Sequence, residues 1–421
     1  MTVELGRTIK YYRIKHNMTQ AELADGICSI PHLSKIENSI YNANFGTAAL
    51  LLERLGINIE EEYAQHTEIK QTLDSFIEAI QFADEEKAIE HYELLLDKET
   101  VIPRTNYRNT YHLYMMRYHL MNGNLNLAFK DWSIVDKNRS NLDTIEERFA
   151  ELFYGIYLVE IGRLKEAKQL LLRLQNEEYA ANFLFVREVA FIMSHCYTQL
   201  NEPEKAIIYA KEALYIFKQE DNYLRIAQSQ MLLGINYTQL NMLEESFRVF
   251  KVLLRNTRLI GHKPLFFQAT FNFGILLKKQ AQYEQSHECF QQCTDYYKVG
   301  SKNYLYTRLA NVDVLFSMNA ETTFIRDILD EIIELSLHHA YERIELQARY
   351  FLYRLDSSDQ LYHFLENELL PHFEQLEDAS EFIPYAQELA RWYQQNGQYE
   401  KANEYLQKYI TKPQKRDLSM V

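Results

Sequence analysis

A small residue returns along most of this 421-residue chain at a nearly fixed interval. Ala88, Ala128, Ala167, Ala206, Ser246 and Ser286 are separated by 40, 39, 39, 40 and 40 positions, and Ala402 falls close to three intervals further on. A period of this length constrains the fold severely, because one unit is too short to bury its own apolar face and must stack on the next. Gly155, Ser194, Gly234 and Gly274 stand twelve positions before four of these anchors, and Trp132, Phe250 and Phe290 stand four positions after three of them. Small residues let two paired helices approach closely, and the aromatic is expected to fill the hollow between neighbouring pairs.

Within one unit, Leu233-Gly234-x-x-Tyr237 followed by Ser246 and Phe250 reproduces the L-G-x2-Y, A-x3-F spacing of tetratricopeptide repeats. HEAT-like repeats of about 40 to 47 residues compete on period alone; the spacing inside each pair favours the tetratricopeptide assignment. The surplus over the usual length of about 34 is expected to lengthen the second helix or the connection, for instance Gln219 to Leu224. Degenerate pairs around Ile325 and Phe364 bring the count to about nine repeats between residues 67 and 411, and residues 412–421 read as a frayed tail. With only 12 Gly and 7 Pro, the reading is an all-α chain whose repeats wind into a right-handed superhelix.

Residues 19–38, TQAELADGICSIPHLSKIEN, break this pattern and read as the central helices of a helix-turn-helix. Thr19 and Glu22 form the reciprocal pair that opens a helix, and Asp25-Gly26 stops it. Ser29 is the second N-cap, Pro31 fits a first turn, and Leu33 and Ile36 face inward. A preceding helix over residues 4–16 carries Leu5, Ile9 and Tyr12 on one stripe, and Gly46 to Ile57 supplies a closing helix. Glu60-Glu61-Glu62 reads as a linker, or as a solvated helix start. The expected domains are therefore 1–65, 66–411 and the tail.

A DNA reader of this class presents the first turn of its second helix to the major groove. The candidate DNA-binding residues are Thr19, Gln20, Ser29, Ile30, Pro31, His32, Ser34, Lys35 and Asn42. His32 and Lys35 suit base edges, Lys35 favouring guanine, while Gln20 at a helix start suits a phosphate and Asn42 the backbone. Arg13 and Glu37 are read as an internal ion pair tying the first helix to the third. The formal charge of -14 divides unevenly: residues 1–45 hold five Lys/Arg against four Asp/Glu, so the head carries +1 and the remainder -15. One head alone attracts DNA weakly, and two are expected to pair on one duplex.

The first helix of each pair is expected to line a concave groove. Counting back from the anchors places Asn272 and Asn311, then Gln228, Gln268 and Thr307, at equivalent positions on that wall. Carboxamides offer both the donor and the acceptor that an extended peptide backbone needs. Arg308, Gln347, Lys279 and Arg117 are candidates for holding carboxylates or a terminus. No phosphate loop, G-x-S-x-G or H-E-x-x-H set is present, and the 13 histidines are dispersed apart from His338-His339, so no enzyme, cofactor or metal is called for. Cys289 and Cys293 share a helix face and read as packed thiols. With no signal peptide and no apolar run of spanning length, a cytosolic location without membrane contact is expected.

Residues 1–60, with TQAELA followed by LSKIEN, resemble Xre-type DNA-binding domains. The whole chain resembles the peptide-pheromone receptors of Gram-positive bacteria, the RRNPP group, in its long NprR-like form of about nine repeats. The resemblance implies a quorum-sensing transcription regulator. Its groove takes a short, secreted and re-imported signalling peptide, which switches oligomeric state, from homodimer upward, and binding to a double-stranded operator, expected to be an inverted repeat. It also implies that concave asparagines hold the peptide backbone, which carries onto Asn272 and Asn311. An alternative implied by the same group is a response-regulator phosphatase or sequestering adaptor of a sporulation phosphorelay. The glutamine used there matches no position here, Gln71 and Gln81 being only nearby.

Overall fold

The computed structural model describes residues 5–38, 40–41, 44–175, 183–358, 360–375 and 379–411. They fall into two compact units, Met1–Asn176 and Glu177–Val421. Among the described residues the chain is helical and contains no strand.

The first unit begins with α1 (Gly6–Lys15), α2 (Gln20–Ala24), α3 (Ile30–Glu37) and α4 (Phe45–Arg54). Ile9, Leu23, Leu33, Ile36, Leu51 and Leu52 close their common core. Both halves of the Thr19/Glu22 capping box form, and the Ser29 side chain accepts from the His32 N–H. A Cβ on Gly6 would lie 2.0 Å from the Ile36 carbonyl oxygen, so α1 crosses α3 at backbone contact, a constraint the sequence reading did not register.

Three helix pairs complete this unit: α5 (Ile59–Phe82) with α6 (Glu85–Leu96), α7 (Arg108–Met121) with α8 (Leu125–Lys137), and α9 (Thr144–Glu160) with α10 (Leu164–Gln175). The linker reading of Glu60-Glu61-Glu62 is corrected here. The Asn58 side chain accepts from the N–H groups of Glu60 and Glu61, so the three glutamates form the first turn of α5, where carboxylates favour the helix dipole. That helix runs unbroken through the expected boundary at residue 65.

The second unit holds six pairs: α11 (Phe183–Gln199) with α12 (Pro203–Gln219), α13 (Tyr223–Gln239) with α14 (Leu243–Ile260), α15 (Lys263–Lys279) with α16 (Tyr283–Tyr296), and α17 (Lys302–Ser317) with α18 (Thr322–His338). Next, α19 (Glu342–Leu355) pairs with α20 (Gln360–Phe364) and α21 (Leu370–Gln375), which are joined by a π-helical segment over Leu365–Leu369. Pro371 lacks the N–H that would bond four residues back, and the wider segment stands where that bond is lost. The last pair is α22 (Ala379–Gln395) with α23 (Tyr399–Thr411). The expected tail lies outside the described residues.

Every anchor is buried on the second helix of its pair, with no more than 2% of its surface exposed. In three pairs a hydroxyl seals the crossing. Ser194 donates to the Ala206 carbonyl, Ser246 to that of Gly234, and Ser286 to that of Gly274, at 2.8 to 2.9 Å. Phe250 lies against Gly234 of its own pair, where a Cβ would meet the ring at 2.7 Å. The aromatic therefore fills the hollow inside its pair as well as touching Phe273 of the next. In the second unit the extra residues lengthen the helices, α11, α12, α13 and α15 having 17 residues each, with α12 and α13 joined by only 220–222; in the first unit they lie in the connections 97–107 and 138–143.

The turn inside most pairs is fixed by one residue in the left-handed region. Ala83, Asn201, Asn241 and Ala281 adopt φ of 54° to 60°, and Gly123, Gly162 and Gly397 adopt 69° to 76°. Each stands five positions before its anchor. In the second unit the first helices touch their counterparts directly, α11 with α13, α13 with α15, α15 with α17 and α17 with α19. Each second helix packs between the first helix of its own pair and that of the next, which makes the first helices a continuous wall.

Candidate nucleic-acid interface and repeat wall

The head is organised around the carboxylate of Glu37, whose side chain is wholly buried. Arg13 donates to it from Nε at 2.6 Å and from Nη2 at 2.9 Å, and Gln20 donates from Nε2 at 2.8 Å. The expected Arg13–Glu37 pair is present. Gln20, read from the sequence as a phosphate contact, gives one of its two amide hydrogens to the Glu37 carboxylate. Arg13 also donates to the Met18 carbonyl, which fixes the turn before α2.

The outward side of α3 is open as expected. Ile30, Pro31 and Lys35 are exposed, and His32 and Ser34 are half-buried. The His32 ring packs against Tyr41 at 5.0 Å, which limits its reach. Thr19 and Ser29 are exposed helix caps, and Asn42 lies outside the described residues.

The head is welded to the first helix pair by a buried polar joint that sequence reasoning missed. Tyr12 of α1 donates to Glu62 of α5 at 3.0 Å. Arg104 donates to both oxygens of the same carboxylate, at 2.9 and 3.2 Å, and to Gln65 at 2.8 Å. Its guanidinium lies 5.4 Å from the Tyr12 ring centroid, within cation–π range. Burial and the neighbouring Glu62 carboxylate push the Tyr12 hydroxyl pKa up to about 12. Thr8 gives its one hydrogen to the Arg104 carbonyl at 3.0 Å, so His66 must be the donor in the 3.0 Å Thr8–His66 bond. The Nε2 of His66 therefore carries a proton, and its buried Nδ1 has no partner among the described residues. Burial and the nearby Arg104 charge hold its pKa down at about 4.

On the repeat wall, Asn272 and Gln268 of α15 and Gln228 of α13 are half-buried. Asn272 gives its amide nitrogen to the Gln268 carbonyl at 2.9 Å. The expectation that Asn311 and Thr307 lie open on the same wall is corrected: both are fully buried. Counting from the anchor fixes a side of the helix but not its depth, and at Asn311 the second helix of the preceding pair covers that side. His287 of α16 there meets the Asn311 amide oxygen at 2.8 Å, while the Asn311 amide nitrogen has no acceptor among the described residues. Thr307 donates back to the Asn303 carbonyl. Arg308 is bound by Glu331, Gln228 accepts from Arg225, and Lys279 donates to the Thr238 carbonyl. Gln347 is buried, as is Arg117, which belongs to the first unit.

Cys289 and Cys293 are buried free thiols whose pKa values burial pushes upward, as packed thiols require. No cluster of three or more His, Cys, Asp or Glu among the described residues is arranged to hold a metal ion. Among those residues no helix is long and apolar enough to cross a membrane.

Comparison with known proteins agrees with this architecture. Residues 9–61 match a helix-turn-helix family model and residues 188–220 a tetratricopeptide-repeat model. The transcriptional activator NprA of Geobacillus stearothermophilus is 22% identical over 406 residues, covering 91% of this chain and 97% of that protein. The fold is shared by the apo form of the quorum sensor NprR from B. thuringiensis, with a TM-score of 0.66 at 19% identity over 82% of this chain and 98% of that one. It is also shared by NprR in complex with its cognate peptide NprX, with a TM-score of 0.63 at 19% identity, covering 82% and 97%. A further relative, the regulatory protein RapD of Bacillus subtilis, is 22% identical over 311 residues, covering 68% of this chain and 84% of that protein.

Proposed function

We propose that this protein is a cytosolic, peptide-gated transcriptional regulator acting by binding, not catalysis. The observation that carries the reading is the joint at Tyr12, Glu62 and Arg104. A capped helix-turn-helix with an open α3 face is held by buried hydrogen bonds to the first helix pair, so a change in the pairs is delivered to the head. The likeness to a transcriptional activator over nearly the whole chain supports the DNA-binding half. The peptide held by NprR supports the other half.

In this reading Ile30, His32, Ser34 and Lys35 meet base edges, and Thr19, Ser29 and Asn42 meet the backbone. Two copies pair on an inverted repeat. An oligopeptide backbone lies along α13, α15 and α17, with Gln228, Gln268 and Asn272 in direct contact. Asn311, covered by His287 of α16, stays out of direct contact with the peptide.

Selection of duplexes from a random pool tests the DNA half. The expected result is enrichment of an inverted repeat, bound with steep salt dependence, and lost at one position in Lys35→Ala. Recovery of no common sequence contradicts it. A second reading, binding or dephosphorylation of a response regulator, is favoured by the likeness to RapD and to response regulator aspartate phosphatase A of Bacillus subtilis. It predicts a shortened phosphate lifetime on such a partner, and an unchanged lifetime with no complex discards it.

A further inference from the structure

The outer faces of the second helices in the second unit carry charge sorted by helix. On α14, Arg248, Lys251, Arg255 and Arg258 are exposed in one row beyond the exposed Glu244 and Glu245 of its first turn, and α12 adds exposed Lys211 and Lys218 beyond Glu204 of its own first turn. On α16 the exposed row is Glu284, Glu288 and Asp295, and on α18 it is Asp327, Asp330 and Glu334. None of these side chains takes part in an ion pair or hydrogen bond among the described residues, although α14 and α16 are second helices of adjacent pairs. The first helix between them holds the two rows apart. Large apolar side chains stand in the same faces: Ile208 and Tyr215 on α12, Leu259 on α14 and Leu337 on α18, each more than 60% exposed.

The face thus reads positive, positive, negative, negative across α12, α14, α16 and α18. A surface with that order is complementary to itself under a two-fold axis running parallel to the helices between α14 and α16. Rotation about that axis lays α14 over α16 of a second copy and α12 over α18, each contact occurring twice. We propose that this face is the self-association surface of the protein, its occupant a second copy of the same chain.

Three observations favour a second copy over a foreign acidic partner. A partner carrying negative charge alone would face the rows on α16 and α18 with repulsion, whereas an identical copy meets all four rows with opposite charge. The face is also large enough. Helices of 17, 18, 14 and 17 residues are about 21 to 27 Å long, and at about 10 Å apart they present on the order of 1,000 Å², against about 800 Å² per partner in a standard interface. Finally, a depression of about 510 Å³ walled by Phe266, Phe267 and Tyr296, with Arg258, Lys263 and Asp295 at its edge, opens between the C-terminal ends of α14 and α16. It gives one end of the charged rows an apolar hollow that a second copy can fill.

The inference shares with the proposed function only the pairing of two copies. Its test reads mass, so it stands or falls separately from DNA or peptide binding. Two charge-reversed full-length proteins are made, Lys251→Glu with Arg255→Glu, and Glu284→Lys with Glu288→Lys. Sedimentation velocity at about 50 mM salt, where charge screening is weak, is expected to show a dimer for the unaltered chain, monomers for each variant alone, and a dimer in their equimolar mixture. Mixing restores pairing only if α14 of one copy faces α16 of the other in both directions. Circular dichroism confirms that both variants keep their helix content. A monomeric unaltered chain, variants that dimerise as it does, or a mixture that stays monomeric would each overturn the proposal.

Discussion

Tyr12 of α1 and Glu62 of α5 are joined by a 3.0 Å hydrogen bond buried between the head and the first helix pair. Because Arg104 occupies both oxygens of the same carboxylate, Glu62 is the residue through which three segments are held together. Glu62→Gln keeps the shape but leaves one acceptor where there were two, so one Arg104 N–H faces the amide NH2 instead of an oxygen, the other bond weakens, and the Arg104 charge is uncompensated. A loss of about 1–3 kcal/mol is expected. Tyr12→Phe removes one bond and is expected to cost about 1 kcal/mol. Chemical denaturation with a probe in the head checks the order, and equal effects of the two variants would show that the carboxylate is not the centre of the joint.

The same joint is sensitive to acid. His66 has a folded pKa of about 4, well below the value of about 6.5 for a free imidazole. Since the folded state resists protonation, this part of the stability is complete above pH 6.5 and is lost as pH falls from 6.5 towards 4. At pH 5 the loss amounts to about 2 kcal/mol relative to pH 7. Stability measured at pH 7.5 and pH 5 is expected to fall less steeply in His66→Gln than in the unaltered chain. Parallel slopes would remove His66 from the account.

The left-handed turn residues make a prediction of opposite sign at equivalent positions. Ala281, at φ 59°, is an exposed alanine in a conformation that costs an L-residue roughly 1–2 kcal/mol. Ala281→Gly is expected to raise stability by about 1 kcal/mol even though it removes a helix-favouring residue. Gly162→Ala, at φ 76°, is expected to lower it by about the same amount. Denaturation midpoints of the two variants should move in opposite directions.

Close packing at the pair crossings sets a third order. A Cβ on Gly6 meets a backbone oxygen at 2.0 Å, one on Gly234 meets the buried Phe250 ring at 2.7 Å, and one on Gly155 meets a leucine methyl at 3.1 Å. Backbone cannot yield as a side-chain tip can. Gly6→Ala is expected to be the most damaging and Gly155→Ala the mildest, with about 1–3 kcal/mol for Gly234→Ala. Urea midpoints for the three variants test the ranking.

Much of this architecture was legible because volume is a local constraint. The anchors had to be small wherever two helices cross, so their period revealed the pairs. The capping box at Thr19 and Glu22 was legible because its partners lie three residues apart. The turn signal was partly hidden, since glycine and asparagine mark five of those seven turns but Ala83 and Ala281 hold the same conformation unannounced. The joint was illegible. Thr8, Tyr12, Glu62, His66 and Arg104 are separated by up to 96 positions, and nothing in their spacing says that they meet. Asn311 shows the limit from another direction, since its concealment depends on His287, a residue of the neighbouring pair.

The most direct test of the central claim measures operator affinity in the presence of peptide. The duplex is the one enriched from the random pool, and the peptides are the terminal residues of any secreted pro-peptide found encoded beside this chain. Fluorescence anisotropy is expected to show the operator Kd changing at least about fivefold on peptide addition, with the change lost in Asn272→Ala while its peptide-free DNA binding stays intact. An operator Kd indifferent to every such peptide, or an Asn272→Ala variant that responds like the unaltered chain, would contradict the account.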